Sequence, residues 1–301
     1  MGNNKAIRGV RVSSNEFALR MAAEREQIGD CLRRLLASPP NEASRSRQEN
    51  YKTKVRLREA IQHATLGPGK RIRPLLALRV ARLLNANTDF VFRAAVAVEL
   101  IHCASLVIDD LPCMDNAKLR RGRPAVHVGF GEATAILAAF SMIALAAEAV
   151  IPRGDTDAAQ LMRLLQFQRR LLETLGCDSL TGGQAWDLEL SEGQRRRHAE
   201  SLANQKTAPL FELAARAGCV SSEQSPECHA QVLDFALEFG VLYQLIDDWQ
   251  DGNKHSKKLL QNQVVRVRER FDELGASAGE LAHFLNHALA QVDVTVHVFC
   301  A

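Results

Sequence analysis

Apolar residues recur at three- and four-residue steps through eight stretches of this chain: 15–37, 51–65, 74–86, 90–110, 132–150, 156–176, 199–218 and 228–250. That spacing lines one face of an α-helix. Strand-like alternation is almost absent before the last residues, "VDVTVHVFCA", 292–301. Breakers fall between the runs: "SPPNEASRSRQEN" (38–50), "LGPGKR" (66–71), "RRGRP" (120–124), "IPRGD" (151–155), "TGGQ" (181–184) and "SSEQSP" (221–226). The pattern predicts an all-α fold. With no fixed-period repeat and no linker between two cores, residues 51–301 read as one core with an atypical C-terminal part. Residues 1–50 read as a polar N-terminal extension with the first helix.

The bulk properties exclude several classes of function. The chain has 301 residues, enough for a substantial core. Its 38 basic and 35 acidic side chains leave a formal charge of +3, too balanced for a general nucleic-acid binder. Aromatics at 5% leave few platforms for stacked bases. Seven scattered cysteines without a C-x-x-C fit reduced thiols in a soluble, cytoplasmic protein. The first twenty residues lack an apolar run of signal-peptide length. "ATAILAAFSMIALAA" (133–147) is short and Ala-rich, so a buried helix is expected there and no membrane span.

Two of the helical runs end in aspartates. The first leads into "HCASLVIDDLPCMDNAKLRRGRP" (102–124), which carries Asp109, Asp110 and Asp115 and then Arg120, Arg121 and Arg123. The second ends in "YQLIDDWQDG", where Asp247 and Asp251 are one turn apart, as are Gln244 and Asp248. Carboxylates packed at the ends of apolar helices cost free energy unless something positive neutralises them. Hard divalent cations fit, because Mg²⁺ shares one or two carboxylates with substrate phosphates. Pro112 disfavours helix at Leu111, so Asp115 must return from a loop to join Asp109. Cations answer in three places. "GPGKRIRP" offers Lys70, Arg71 and Arg73 as a phosphate cradle, "RRGRP" adds Arg120 and Arg121, and "NQKTAPL" adds Lys206 and Thr207. His102 lies two turns before Asp109 on the same helix face. Together these residues suggest two diphosphate sites, one held through Mg²⁺ and one gripped directly.

These stretches, with "LTGGQAWDLE" between them, resemble the trans-isoprenyl diphosphate synthase family, and among its members the bacterial carotenoid-type geranylgeranyl diphosphate synthases. The resemblance covers roughly residues 55–252. It implies the isoprenoid synthase fold, antiparallel helices around a deep central cavity, usually in a homodimer. It implies that Asp109, Asp110, Asp115, Asp247, Asp248 and Asp251 bind several Mg²⁺ ions and, through them, an allylic diphosphate. Arg120, Lys206, Thr207 and Gln244 would touch that substrate, and Lys70, Arg73, His102 and Arg121 would hold isopentenyl diphosphate. Gln184 and Asp187 match a motif lining the site. The implied reaction is Mg²⁺-dependent condensation of the two substrates, with Asp109, Asp110, Asp115, Lys206, Asp247 and Asp248 as the catalytic set.

Ser105, Ile101 and Val98 follow Asp109 down one helix face, with Ala104 beside them. Small Ala104 and Ser105 leave room beneath the first carboxylates. Members of the family it resembles that make the fifteen-carbon product often carry an aromatic residue at the position of Ala104. The resemblance thus implies a C20 product, geranylgeranyl diphosphate, with a farnesyl or other short-chain product as the alternative. The segment after Asp251 departs from the family, since "GNKHSKKLLQ" lacks a Gly-Lys-Ser/Thr signature. Lys254, Lys257 or Lys258 are candidates for the missing charge. A terpene cyclase would need no second aspartate cluster and no second diphosphate grip. A non-catalytic regulatory subunit would need no intact aspartate motifs. A di-iron bundle would need Glu-x-x-His pairs, absent from the helices carrying these clusters. Replacing Ala104 by Tyr is expected to shorten the product, checked by sizing the prenyl chains formed.

Overall fold

The computed structural model describes residues 14–37, 48–151, 154, 157–250, 257–275 and 279–289. The order is α1 (Ser14–Leu36), α2 (Gln48–Thr65), α3 (Ile72–Leu83), α4 (Thr88–Asp109), β1 (Leu119–Arg120), β2 (Arg123–Pro124), α5 (Val126–Phe130), α6 (Glu132–Ala149) and α7 (Ala158–Leu175). It continues with α8 (Leu180–Glu189), α9 (Glu192–Arg197), α10 (Ala199–Lys206), α11 (Ala208–Val220), α12 (Pro226–Gln250), α13 (Lys257–Glu273) and α14 (Gly279–Leu289). The alternating ending 292–301 lies outside the described residues.

α4 is the central element. Asn87 caps its start by accepting the Asp89 amide at 3.0 Å, and the helix then runs apolar for most of its length. It packs against α6 on one side and α3 and α11 on the other, while α12 lies against α11, α10 and α13. The ring of Phe211 on α11 meets Phe239 on α12 edge-to-face at 5.4 Å, tying the two helices together.

Three elements depart from the periodicity reading, each for a local reason. The run 199–218 is two helices meeting at Thr207. Pro209 donates no amide and crowds the preceding turn, so helix cannot run straight through. The "TGGQ" breaker lies inside α8, because its glycines serve packing. A Cβ on Gly183 would stand 2.9 Å from the Lys206 backbone nitrogen, and the bare glycine lets α8 press against α10. "LRRGRP" forms a two-residue hairpin, with Arg121 at φ 53° and Gly122 at φ 74°, as a primed turn requires.

α1 shares the core. Met21, Ile28 and Leu32 are buried, and Glu24 sits beside them at 3% exposure. Arg79 of α3 grips both Glu24 oxygens at 3.0 and 2.6 Å and stacks over Phe17 at 5.1 Å. Arg82 bonds Glu24 as well and bridges to Glu280 of α14 at 3.1 Å. This network fastens α1 and α14 to α3. Glu24→Ala leaves the Arg79 guanidinium buried without its carboxylate, so unfolding in urea should show a loss of about 3–5 kcal/mol.

Candidate active site

The C-terminal end of α4 divides its two aspartates. After Asp109 the chain turns at Pro112, and the Asp115 amide comes back to the Asp109 carbonyl at 2.9 Å. The loop thus returns Asp115 to the helix end. Asp109 faces a cavity of about 680 Å³, while Asp110 does not border it. Asp110 is 2% exposed and takes the Arg120 guanidinium at 2.9 Å from Nε. Burial pushes the Asp109 carboxyl up to about 6, opposed by Lys206 and Arg120 and reinforced by Asp115.

Cations collect on the facing wall. The short hairpin delivers Arg120 and Arg121 to the cavity, the loop after α2 delivers Lys70, and the first turn of α3 delivers Arg73. Arg73 lies 4.7 Å over the Phe211 ring and donates toward His102 Nε2 at 3.3 Å. Arg121 reaches the same nitrogen at 3.5 Å. Guanidiniums only donate, so Nε2 is the acceptor and the ring proton sits on Nδ1. Burial, then Arg73 and Arg121, hold His102 well below the usual histidine range, so it is a neutral imidazole.

The third wall comes from α8, α10 and α12. Lys206 bonds Asp187 at 2.9 Å, and Arg195 bonds the same carboxylate at 2.9 Å. The break at Thr207 frees its hydroxyl to donate to Gln244 Oε1 at 2.7 Å, and Gln244 Nε2 donates to Asp248 at 2.8 Å. Asp247 borders the main cavity. Asp248 borders an adjoining hollow of about 300 Å³ that shares Asp115, Lys206, Thr207 and Gln244 with it. Gln184 is 9% exposed, borders the main cavity, and neither of its amide atoms has a protein partner.

Asp109 and Asp247 therefore share one hollow with Lys70, Arg73, His102, Arg120, Arg121, Gln184, Lys206, Thr207 and Gln244. Ser105 joins them, but Ala104 is 2% exposed in the apolar core and does not border the cavity. Asp187 borders only the adjoining hollow. Asp251 and Lys254 lie outside the described residues, and Lys257 and Lys258 open α13 with exposed side chains. Sequence reasoning missed Tyr243 and Glu99, which also line the cavity. Helical spacing could have found both, one turn before Asp247 and one turn before His102.

An all-helical body with acidic helix ends and a basic wall around one deep hollow defines the isoprenoid synthase class. The FPP/GFPP synthase structure from Zymomonas mobilis superposes with a TM-score of 0.77 at 27% identity, covering 91% of this chain and 99% of that one. The polyprenyl synthetase family model matches residues 54–264. The chain belongs to the polyprenyl synthetase family. The geranylgeranyl diphosphate synthase of Pseudescherichia vulneris is 38% identical over 222 residues, 73% of this chain and 71% of that protein. The heterodimeric geranylgeranyl pyrophosphate synthase large subunit 2 of Arabidopsis thaliana is 38% identical over 210 residues, 68% of this chain and 54% of that protein. The chain spans 54–64% of the length of several curated relatives.

Lys206 is the strongest charge holding the Asp109 carboxyl down. In the metal-free protein, Lys206→Met should therefore move the Asp109 pKa above about 6. A carboxyl-carbon NMR titration in EDTA reads the shift directly.

Proposed function

We propose that the protein is a trans-prenyltransferase joining isopentenyl diphosphate to an allylic diphosphate, with geranylgeranyl diphosphate as product. The observation that carries this reading is the single 680 Å³ cavity in which Asp109 and Asp247 face five cationic side chains, Lys70, Arg73, Arg120, Arg121 and Lys206. One diphosphate would not need both a carboxylate pair and so many direct cations.

The donors fit Mg²⁺. Asp109, Asp115 and Asp247 offer oxygen only, the donor type that hard divalent cations take. Among the described residues no three carboxylate, histidine or cysteine groups stand close enough to hold a metal ion by themselves. Asp109, Asp115 and Asp247 would hold Mg²⁺, with Asp248 on the adjoining side; Asp110 serves the site through Arg120. When bound, the metal neutralises charge building on the leaving pyrophosphate.

Lys70, Arg73 and Arg121 grip isopentenyl diphosphate, and neutral His102 adds one donor at Nδ1. Arg120, Lys206, Thr207 and Gln244 hold the allylic diphosphate. Cationic side chains aimed at the departing oxygens favour ionisation of the allylic C–O bond. The isopentenyl double bond attacks the resulting carbocation. The departed pyrophosphate then takes the proton, leaving a product five carbons longer. Ser105, one turn below Asp109, supports space for a long chain.

A second copy of this chain is the expected partner. Ile136, Leu137 and Phe140 on α6 are 38%, 56% and 67% exposed, an apolar face that a homodimer would cover. The six described cysteines are free thiols, in keeping with a cytoplasmic setting.

The test is incubation with Mg²⁺, isopentenyl diphosphate and each allylic diphosphate of five, ten or fifteen carbons, followed by sizing. A C20 product is expected. Cyclised hydrocarbon, or binding without turnover, would overturn the reading. Asp247→Ala should lower kcat by on the order of 10²–10³.

A further inference from the structure

Arg71 stands between Lys70 and Arg73 in the chain and borders the same cavity, yet its guanidinium is bonded to a buried carboxylate and to the end of α2. Arg71 is 8% exposed, at a left-handed φ of 52°. Such a conformation is unfavourable for a residue with a Cβ and persists only where surroundings impose it. One guanidinium nitrogen bonds Glu99; the other bonds the Thr65 carbonyl and donates to the Gly67 carbonyl at 3.2 Å. Thr65 is the last residue of α2, so Arg71 caps that helix with a cation. Glu99 is 2% exposed and lies on α4, one turn before His102. Cys103 donates weakly to it at 3.7 Å.

A carboxylate beside a phosphate-binding cation would cancel its charge and repel the ligand. Glu99 does this to Arg71 and to no other cation of the cradle within salt-bridge distance. The same loop makes a second contact. A methyl on Gly69 would stand 2.6 Å from Arg121 Nη1, so the hairpin rests directly on the loop. The loop bearing Lys70 is thus bonded by Arg71 at Gly67 and touched by Arg121 at Gly69.

We propose that Arg71 and Glu99 form a buried positioning pair that sets the 66–70 loop against α4. The pair thereby places Lys70 and Arg73 at a fixed distance from His102, while Arg71 itself makes no contact with the diphosphate. The inference deepens the reading of this wall as the isopentenyl diphosphate grip and rests on it for the substrate's name. The placement of the anion-binding side chains does not depend on turnover.

The test uses the full chain and inorganic pyrophosphate in EDTA, followed by calorimetry. Arg71→Gln and Glu99→Gln should each weaken binding by about tenfold, the cost of losing an outer supporting partner. The double variant should be no worse than either single one, because the pair acts as a unit. It leaves no buried charge unpaired and carries the readout if a single variant fails to fold. In turnover, the KM for isopentenyl diphosphate should rise while that for the allylic substrate stays within about twofold, a split that general loosening of the fold would not give. Arg71→Lys should recover part of the loss. The proposal is overturned if wild type binds no pyrophosphate, if neither single variant changes affinity, or if both KM values rise together. It is equally overturned if Arg71→Gln weakens binding while Glu99→Gln does not, since Arg71 would then be a direct ligand. A wild type that binds pyrophosphate but condenses nothing would sink the synthase reading and leave the pair standing.

Discussion

Everything in this molecule is arranged around opposed charges held in a half-enclosed hollow. The carboxylates Asp109 and Asp247 and the cations Lys70, Arg73, Arg120, Arg121 and Lys206 would each be costly without the other set, since like charges repel more strongly where water is partly excluded. Their mutual field makes the arrangement tolerable and leaves it strongly polar. A small, highly charged ligand with metal is the kind of guest such a field favours.

α4 organises that field. Glu99, His102, Ser105 and Asp109 follow one another at three- and four-residue steps, so one helix face presents a buried carboxylate, a neutral imidazole, a hydroxyl and a half-buried carboxylate in order. Glu99 anchors the loop after α2, His102 receives Arg73 and Arg121, and Asp109 receives the returning loop at Asp115. The apolar faces of α3, α6 and α11 hold α4 rigid, which a site of this precision needs.

Interruptions of regular structure supply the remaining groups. Pro112 stops α4 so that Asp115 can come back. The primed turn at Arg121 and Gly122 sends Arg120 to Asp110 and Arg121 to His102. The break before Pro209 turns Thr207 toward Gln244. Each break gives up helix hydrogen bonds and returns a side chain that a continuous helix would have pointed elsewhere.

The residues alone determined a great deal: an all-helical chain, two acidic helix ends, the cationic stretches and the family they resemble. Those are properties of local spacing, and helical periodicity is set by neighbours three and four residues away. Local spacing could also have exposed Glu99 and Tyr243, each one turn from a recognised site residue. What it could not decide was direction across the fold. Asp109 and Asp110 are adjacent and chemically identical, yet one faces the cavity and the other is spent on Arg120. Arg71 looks like its neighbours Lys70 and Arg73, yet it is drawn inward by a carboxylate 28 residues away on another helix. Gly183 of "TGGQ" reads as part of a breaker until α10 is packed against it. Tertiary packing settled these, because a charged side chain turns toward whichever partner the assembled helices bring within reach, and no local pattern records that partner.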